Sequence, residues 1–72
     1  MHNVEDWSTR DVSKWLQRQG YKKYAKILCE DHKIDGKALL LLTECDILRC
    51  LPDEVGVYKI FIFLHHKLFF HF

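Results

Sequence analysis

The chain has 72 residues, 49% hydrophobic and 29% charged, a composition that indicates a folded domain and excludes a disordered chain. Its length predicts a single domain over residues 1–72 with a small core. Three cysteines without CxxC spacing, and with no signal peptide ahead of them, argue against a disulfide framework and predict an intracellular location, cytoplasmic or nuclear. Apolar runs of five residues, such as 60–64, are too short for a membrane span of about 18.

Charge is distributed unevenly along the chain. Residues 7–28 carry six basic side chains and one acidic one, a net of +5, whereas residues 29–58 carry seven acidic and three basic ones, a net of −4. The overall net charge of +1 therefore conceals two regions of opposite sign. Each region is suited to a partner of the other sign.

The first predicted helix begins at a capping box. Ser8 is placed to accept from an orphan N–H group, and Asp11 three residues later can accept from the backbone of Ser8. Val12, Trp15 and Leu16 follow at the i, i+3, i+4 spacing of an apolar helix face. This segment therefore predicts an amphipathic helix that packs on the rest of the chain.

Turn residues divide the middle of the chain. Gly20 stands where a helix ends with a left-handed residue. A second helix is predicted over about 22–31, and Asp35 can cap a short third helix that runs to Leu41.

Two further start signals predict the last two helices. Thr43 and Asp46 form a second capping box. Pro52 then breaks the chain, and Asp53 can cap a long C-terminal helix that begins near Glu54. The sequence therefore predicts an all-α, compact five-helix bundle. Its predicted core consists of Trp7, Val12, Trp15, Leu16, Tyr24, Leu28, Ile34, Leu39, Leu40, Leu42, Ile47 and Leu48.

Three ordered motifs cover most of the chain. They read Trp7-Ser8-x-x-Asp11-Val12-x-x-Trp15-Leu16, Gly20-Tyr21-x-x-Tyr24 and Ile34-Asp35-Gly36-x-x-Leu39-Leu40-x-Leu42-Thr43-x-x-Asp46-Ile47. Together they resemble the sterile alpha motif (SAM) domain, most strongly over residues 6–64. The resemblance implies a five-helix bundle that mediates protein–protein association, without catalysis, a cofactor or a small-molecule substrate.

The resemblance also implies an acidic binding surface. SAM domains associate by a mid-loop surface, often acidic, that meets the often basic start of the last helix of another SAM domain. Here the mid-loop residues, which we call the acidic surface, are Glu30, Asp31, Asp35, Glu44 and Asp46. For Asp35 and Asp46 there is an alternative interpretation, in which each carboxylate only caps a helix and does not bind a partner. We expect a different SAM domain as the partner, with weak self-association as the alternative.

The start of the last helix departs from the family pattern. A basic cluster is common there, but this chain has Gly56, Val57, Tyr58 and Lys59. With one positive charge on this surface, we expect no long head-to-tail polymers. Leu51 replaces the usual glycine of the preceding turn, and a positive φ at that leucine would cost about 1–2 kcal/mol.

The last helix has more apolar side chains than one buried face requires. The surplus residues are Ile62, Phe63, Phe69 and Phe70. Exposed apolar patches often mark interaction surfaces. Two interpretations stay open, a second apolar contact and a tolerated solvent-exposed face.

RNA binding is the alternative function. Basic residues recur along one face of the first helix and continue into the second, as a stripe that could follow phosphates. They are Arg10, Lys14, Arg18, Lys22, Lys23 and Lys26. A solvated helix face explains the same stripe. The RNA-binding members of the family rely on basic residues at the start of the last helix, where this chain has Asp53, Glu54, Val57 and Tyr58. We therefore expect no nucleic-acid partner.

Metal binding and catalysis have little support in the sequence. Only Cys29 and His32 approach the spacing of paired zinc ligands. A nucleophile and base would also need a cleft that a chain of this length has little room to build. The sequence predicts neither a metal site nor an enzyme.

Overall fold

The computed structural model describes residues 3–51 and 56–69. Five helices follow in chain order: α1 Thr9–Arg18, α2 Lys22–Ala25, α3 Gly36–Leu41, α4 Glu44–Cys50 and α5 Val57–Phe69. A 3-10 turn, Val4–Asp6, precedes α1, and α2 continues into a π-helical stretch, Lys26–Asp31, which we call the π segment. No strand occurs within these described ranges. The prediction of an all-α fold with five helices and a long last helix is confirmed.

The predicted start and end of α1 are confirmed. The Ser8 N–H donates to Asp11 Oδ2 at 3.0 Å, and the Asp11 N–H donates to Ser8 Oγ at 3.1 Å. Gly20 has a φ of +89°, and the Tyr21 N–H next to it donates to the Leu16 carbonyl at 2.8 Å. Both ends are fixed by local hydrogen bonds, which explains why they could be predicted from spacing.

The helices form two contact units, divided between Leu41 and Leu42. In the first unit α1 packs against α2 and the π segment, and α3 packs against the 3-10 turn. Each large side chain buried here contributes about 1.5–3 kcal/mol. Trp7 and Trp15 are half-buried, with ring centroids 5.6 Å apart. The buried apolar residues of this unit are Val12, Leu16, Ala25, Leu28, Cys29, Ile34 and Leu39.

At Gly36 the 3-10 turn packs closely against α3. The Gly36 N–H donates to the Trp7 carbonyl at 2.8 Å. A Cβ at this position would overlap the Val4 carbonyl oxygen and lie 3.0 Å from the Trp7 Cβ. The sequence identified this residue only as part of a turn, but its packing role comes from a contact with residues about 30 positions earlier.

In the second unit α4 packs against α5. The predicted capping box is present, because the Thr43 N–H donates to Asp46 Oδ2 and the Asp46 N–H to Thr43 Oγ1, each at 3.1 Å. Ile47 and Leu51 are buried, as are Ile60 and Leu64 of α5.

One prediction for this unit needs correction, and one condition considered for the sequence is not met. Leu48 was expected in the core, but it is 38% exposed, because neighbouring residues on a helix point about 100° apart and Ile47 takes the buried side. Leu51 has a φ of −127°, so the strain that a positive φ would bring is absent. The expected break at Pro52 and cap at Asp53, with a helix start near Glu54, lie outside the described residues.

Candidate functional site

Three residues of the acidic surface lie in the first unit. Glu30 and Asp31 are exposed at the end of the π segment. Such segments are rare and are frequently found at functional sites. Asp35 is also exposed, but its Oδ1 accepts from the Ala38 N–H at 2.9 Å. Asp35 therefore caps α3, as the structural interpretation proposed.

The other two acidic residues lie at the start of α4. Glu44 is exposed in the first turn. The carboxylate of Asp46 closes the capping box, and the hydrogen bonds from Thr43 lower its pKa. Arg49 Nη1 lies 3.9 Å from Asp46 Oδ1 in an exposed pair that adds little stability. Asp35 and Asp46 serve as caps, so the other carboxylates of the acidic surface are the exposed ones of Glu30, Asp31 and Glu44.

The start of α5 carries one described positive charge. Gly56 has a φ of +95° and is half-buried, and the side chain of Lys59 is exposed. The side chains of Val57 and Tyr58 lie outside what the structure describes. No acidic residue occurs in the sequence from 57 to 69.

The surplus apolar residues of α5 differ in exposure. Ile62 is 63% exposed and Phe69 is 47% exposed, whereas Phe63 is half-buried. Phe70 lies outside the described residues. The exposure of Ile62 and Phe69 is therefore consistent with the prediction that this helix has apolar side chains beyond its buried face.

An aromatic row on α5 was not predicted. The ring of His65 lies 6.1 Å from that of Phe61 and 5.1 Å from that of Phe69, between ring centroids. These residues are spaced at i, i+4 and i+8, which places them on one helix face. This spacing is the feature of the sequence from which the aromatic row could have been predicted.

The basic stripe is divided between two surroundings. Arg10, Lys14 and Arg18 are exposed on α1. The three lysines of the second helix instead line an open groove of about 720 Å³ between α1 and helix 22–31, which we call the α1/α2 groove. Its lining residues are Ser13, Gln17, Lys22, Lys23, Lys26, Ile27, Glu30 and Asp31. Carboxylates beside the lysines oppose the binding of phosphates.

None of the three cysteines forms a disulfide. Cys29 is buried, Cys50 is half-buried and Cys45 is exposed. Burial raises the pKa of the Cys29 thiol, and the neighbouring Glu30 carboxylate adds to this shift. Within residues 3–51 and 56–69, no three histidine, cysteine or carboxylate side chains gather in a way that could hold a metal ion.

None of the helices described for this chain combines the length and apolar character needed to cross a membrane.

Comparison with known proteins identifies relatives of this arrangement. The family model of the SAM domain (sterile alpha motif) matches residues 5–61. Human sphingomyelin synthase-related protein 1 is 44% identical over 54 residues, which are 75% of this chain and 13% of the relative. The Caenorhabditis elegans sphingomyelin synthase-related 1 is 36% identical over 69 residues, 88% of this chain and 14% of the relative. Human sterile alpha motif domain-containing protein 13 is 35% identical over 51 residues, 71% of this chain and 41% of that protein.

This chain thus spans about an eighth of the length of the first two of these relatives. No solved structure is significantly similar. SAM domains are generally non-enzymatic protein–protein interaction modules and bind other SAM domains.

Proposed function

We propose that this chain, which belongs to the SAM domain family, binds the basic end-helix surface of a different SAM domain through its own acidic surface. The observation that carries the proposal is the exposure of Glu30, Asp31 and Glu44. The caps formed by Asp35 and Asp46 hold the backbone on which these carboxylates are presented. Charges of this kind steer association and fix orientation more than they add affinity.

The composition of the last helix supports a hetero-partner. An end-helix surface built on Gly56, Val57, Tyr58 and Lys59 offers one lysine to the acidic surface of a second copy. Head-to-tail self-association through this contact is therefore weak. Long polymers, which need both surfaces on every copy, do not form.

The relatives suggest the setting in which the domain works. Two of them are named for sphingomyelin synthase and are far longer than this chain. We propose that the domain is part of a longer protein of that kind, that it brings a partner to it, and that it has no enzymatic activity of its own. Its free cysteines support an intracellular, reducing environment.

A second apolar contact on α5 is part of the proposal. Ile62 and Phe69 are exposed and give the described part of α5 apolar surface beyond one core-facing stripe. Replacing Phe63, Phe69 and Phe70 by serine should change the oligomeric state or partner affinity. An unchanged oligomeric state, affinity and solubility would identify these rings as a tolerated exposed face.

The acidic surface can be tested with a probe made from this chain. The probe carries Val57→Lys and Tyr58→Lys, which supply the missing end-helix charge, and Glu44→Lys, which weakens its own acidic surface. We expect the unaltered chain to bind this probe in fluorescence anisotropy, and Glu44→Lys in the unaltered chain to weaken binding at least about tenfold, as for like charges placed opposite each other. Glu5→Lys, an equal charge change on the exposed 3-10 turn, is the matched control and should leave affinity unchanged.

The same measurement separates protein binding from RNA binding. A helical spectrum and melting curve like those of the unaltered chain must first show that the probe is folded. If the folded probe does not bind, or binds Glu44→Lys as well as the unaltered chain, the acidic surface is not the interface. Tight, salt-sensitive binding of a hairpin RNA that is lost on Arg10→Glu and Lys14→Glu would instead support the alternative function.

A further inference from the structure

The helix at residues 22–31 carries its charges in an order that is complementary to itself. Its sequence reads Lys22-Lys23-x-x-Lys26-Ile27-x-x-Glu30-Asp31. All six named residues line the α1/α2 groove, so they share one face of the helix. Basic residues occupy one end of this face and acidic residues the other, with an isoleucine near the middle.

An antiparallel second copy of the helix would match this order. If a two-fold axis passes between positions 26 and 27, Lys22 of one copy lies opposite Asp31 of the other, and Lys23 lies opposite Glu30. Each contact occurs twice, as required where the same surface of both molecules meets. At a rise of about 1.5 Å per residue, positions 22 and 31 are separated by roughly 13 Å along the helix, a length that two facing helices can match.

The centre of the same face is apolar enough to close the contact. Ile27 is half-buried in each free molecule and lies opposite Lys26 of the second copy. The aliphatic stem of a lysine can cover an apolar side chain while its ammonium group stays in water, so the two Lys26 ammonium groups point away from the axis. On the other wall of the groove, Gln17 donates to Ser13 at 3.1 Å, which leaves short polar groups beside the incoming helix.

A second observation is that the charge order opposes the helix dipole. The N-terminal end of a helix favours negative side chains and the C-terminal end favours positive ones. Here Lys22 and Lys23 occupy the first turn, and Glu30 and Asp31 occupy the last one. The acidic end also lies in the π segment, a geometry that is rare and is frequent at functional sites. An order that opposes the helix dipole calls for another cause, and local violations of this kind are expected at functional sites.

We propose that the α1/α2 groove is a two-fold docking site for a second copy of this chain. Helix 22–31 of each molecule lies antiparallel along the groove of the other. This contact goes beyond the proposed head-to-tail association, because it joins like surfaces and therefore stops at two molecules. It also uses Glu30 and Asp31 of the acidic surface, so the dimer and the hetero-partner compete for this end of the helix.

The proposal can be tested by measuring the self-association of variants of this chain in which the charges of the groove are reversed. Sedimentation equilibrium of the unaltered chain should show a monomer–dimer equilibrium without larger species. Lys22→Glu with Lys23→Glu makes the groove acidic, and Glu30→Lys with Asp31→Lys makes it basic. Each double variant should weaken self-association at least about tenfold, because like charges then face each other.

Two combinations of these variants should restore the dimer. An equimolar mixture of the acidic-groove and basic-groove variants should form a one-to-one heterodimer. All four substitutions in one chain should restore the homodimer, since the reversed order is again complementary to itself. The fourfold variant also agrees with the helix dipole, so loss of folding cannot account for a negative result if its melting temperature is at least that of the unaltered chain.

Cross-linking locates the axis independently. With Cys45→Ser and Cys50→Ser as background, Ile27→Cys should form a disulfide-linked dimer on oxidation, because position 27 lies next to its own counterpart. Lys14→Cys, at an exposed site on α1 outside the groove lining, is the matched control and should form no disulfide-linked dimer.

Three results would overturn the proposal. They are a chain that stays monomeric at millimolar concentration, self-association that none of the reversals alters, and hairpin RNA binding through the lysines without a dimer. Failure of the hetero-partner model is recognised separately. Glu44 lies outside the groove lining. With a probe that also carries Lys22→Glu and Lys23→Glu, which oppose the groove contact, Glu44→Lys should weaken probe binding at least about tenfold and leave the dimer of the chain that carries it intact.

Discussion

Replacing Gly36 by alanine tests the packing beneath Asp35. Gly36 is the first residue of α3, which packs against the 3-10 turn. The new methyl group would overlap the Val4 carbonyl oxygen, with the Val4 carbonyl carbon 2.9 Å away and the Trp7 Cβ 3.0 Å away. Two of these three neighbours are backbone atoms, which cannot rotate aside, so the turn itself must move.

The cost follows from three contributions. Overpacking typically destabilises by about 1–3 kcal/mol, and a backbone clash belongs at the upper end. Displacing the turn also weakens the hydrogen bond from the Gly36 N–H to the Trp7 carbonyl, for about 1 kcal/mol more. Alanine recovers about 1 kcal/mol of helix propensity. The net loss is therefore about 3 kcal/mol, from a total of about 4–11 kcal/mol expected for a domain of this length.

Thermal unfolding followed by circular dichroism measures this loss. We expect the Tm to fall by about 12–24 °C, at about 4–8 °C per kcal/mol for a small domain. Lys37→Ala, at the exposed next position of α3, should change stability by less than about 0.5 kcal/mol. Gly20→Ala, at a φ of +89° with no atom within 4 Å of the new Cβ, should cost about 1–2 kcal/mol from backbone strain alone. A Gly36→Ala variant as stable as Lys37→Ala would refute the packing argument.

Three further predictions concern stability and reactivity. Trp15→Ala should lower the free energy of unfolding by about 3 kcal/mol, the low end for a large aromatic side chain, because the Trp15 ring is half-buried against Trp7. An unchanged melting curve would exclude Trp15 from the core. Since hydrogen bonds lower the pKa of Asp46, its carboxylate stabilises the fold above the ordinary pKa of 3.8 and this contribution is lost as pH falls through the lower folded value. Asp46→Asn should thus be less stable than the unaltered chain at neutral pH, with a difference that shrinks in acid; a pH-independent difference would contradict this. Iodoacetamide should modify Cys45 well before Cys29, because burial raises the pKa of the Cys29 thiol and excludes the reagent. Equal modification rates of the two cysteines, measured by mass spectrometry, would show that the core is open to the reagent.

Helix ends could be predicted from this sequence because their causes are local. The capping boxes at Ser8 and Thr43 depend on a side chain and a backbone group three residues apart, and the left-handed turn at Gly20 depends on the absence of a Cβ. Such features need no knowledge of distant residues.

Other features depend on contacts between distant parts of the chain, or on a choice between adjacent positions. The demand for glycine at position 36 arises from Val4 and Trp7. Periodicity indicated that Ile47 and Leu48 lie near the core, but it could not decide which of the two is buried. For the candidate site, the sign of each charged region could be predicted from the sequence. That lysines and carboxylates line the same groove could be seen only in the structure.

The measurement that tests the central claim most directly is an NMR titration of the ¹⁵N-labelled chain with the folded, unlabelled probe. If the acidic surface is the interface, the amide signals that shift should cluster around Glu30, Asp31, Asp35 and Glu44, and salt should reduce the shifts. Glu5 and the exposed basic residues of α1 should be unaffected. Saturable shifts confined to α1, or shifts around Glu44 that persist unchanged in the Glu44→Lys chain, would contradict the claim that this SAM domain binds through its acidic surface.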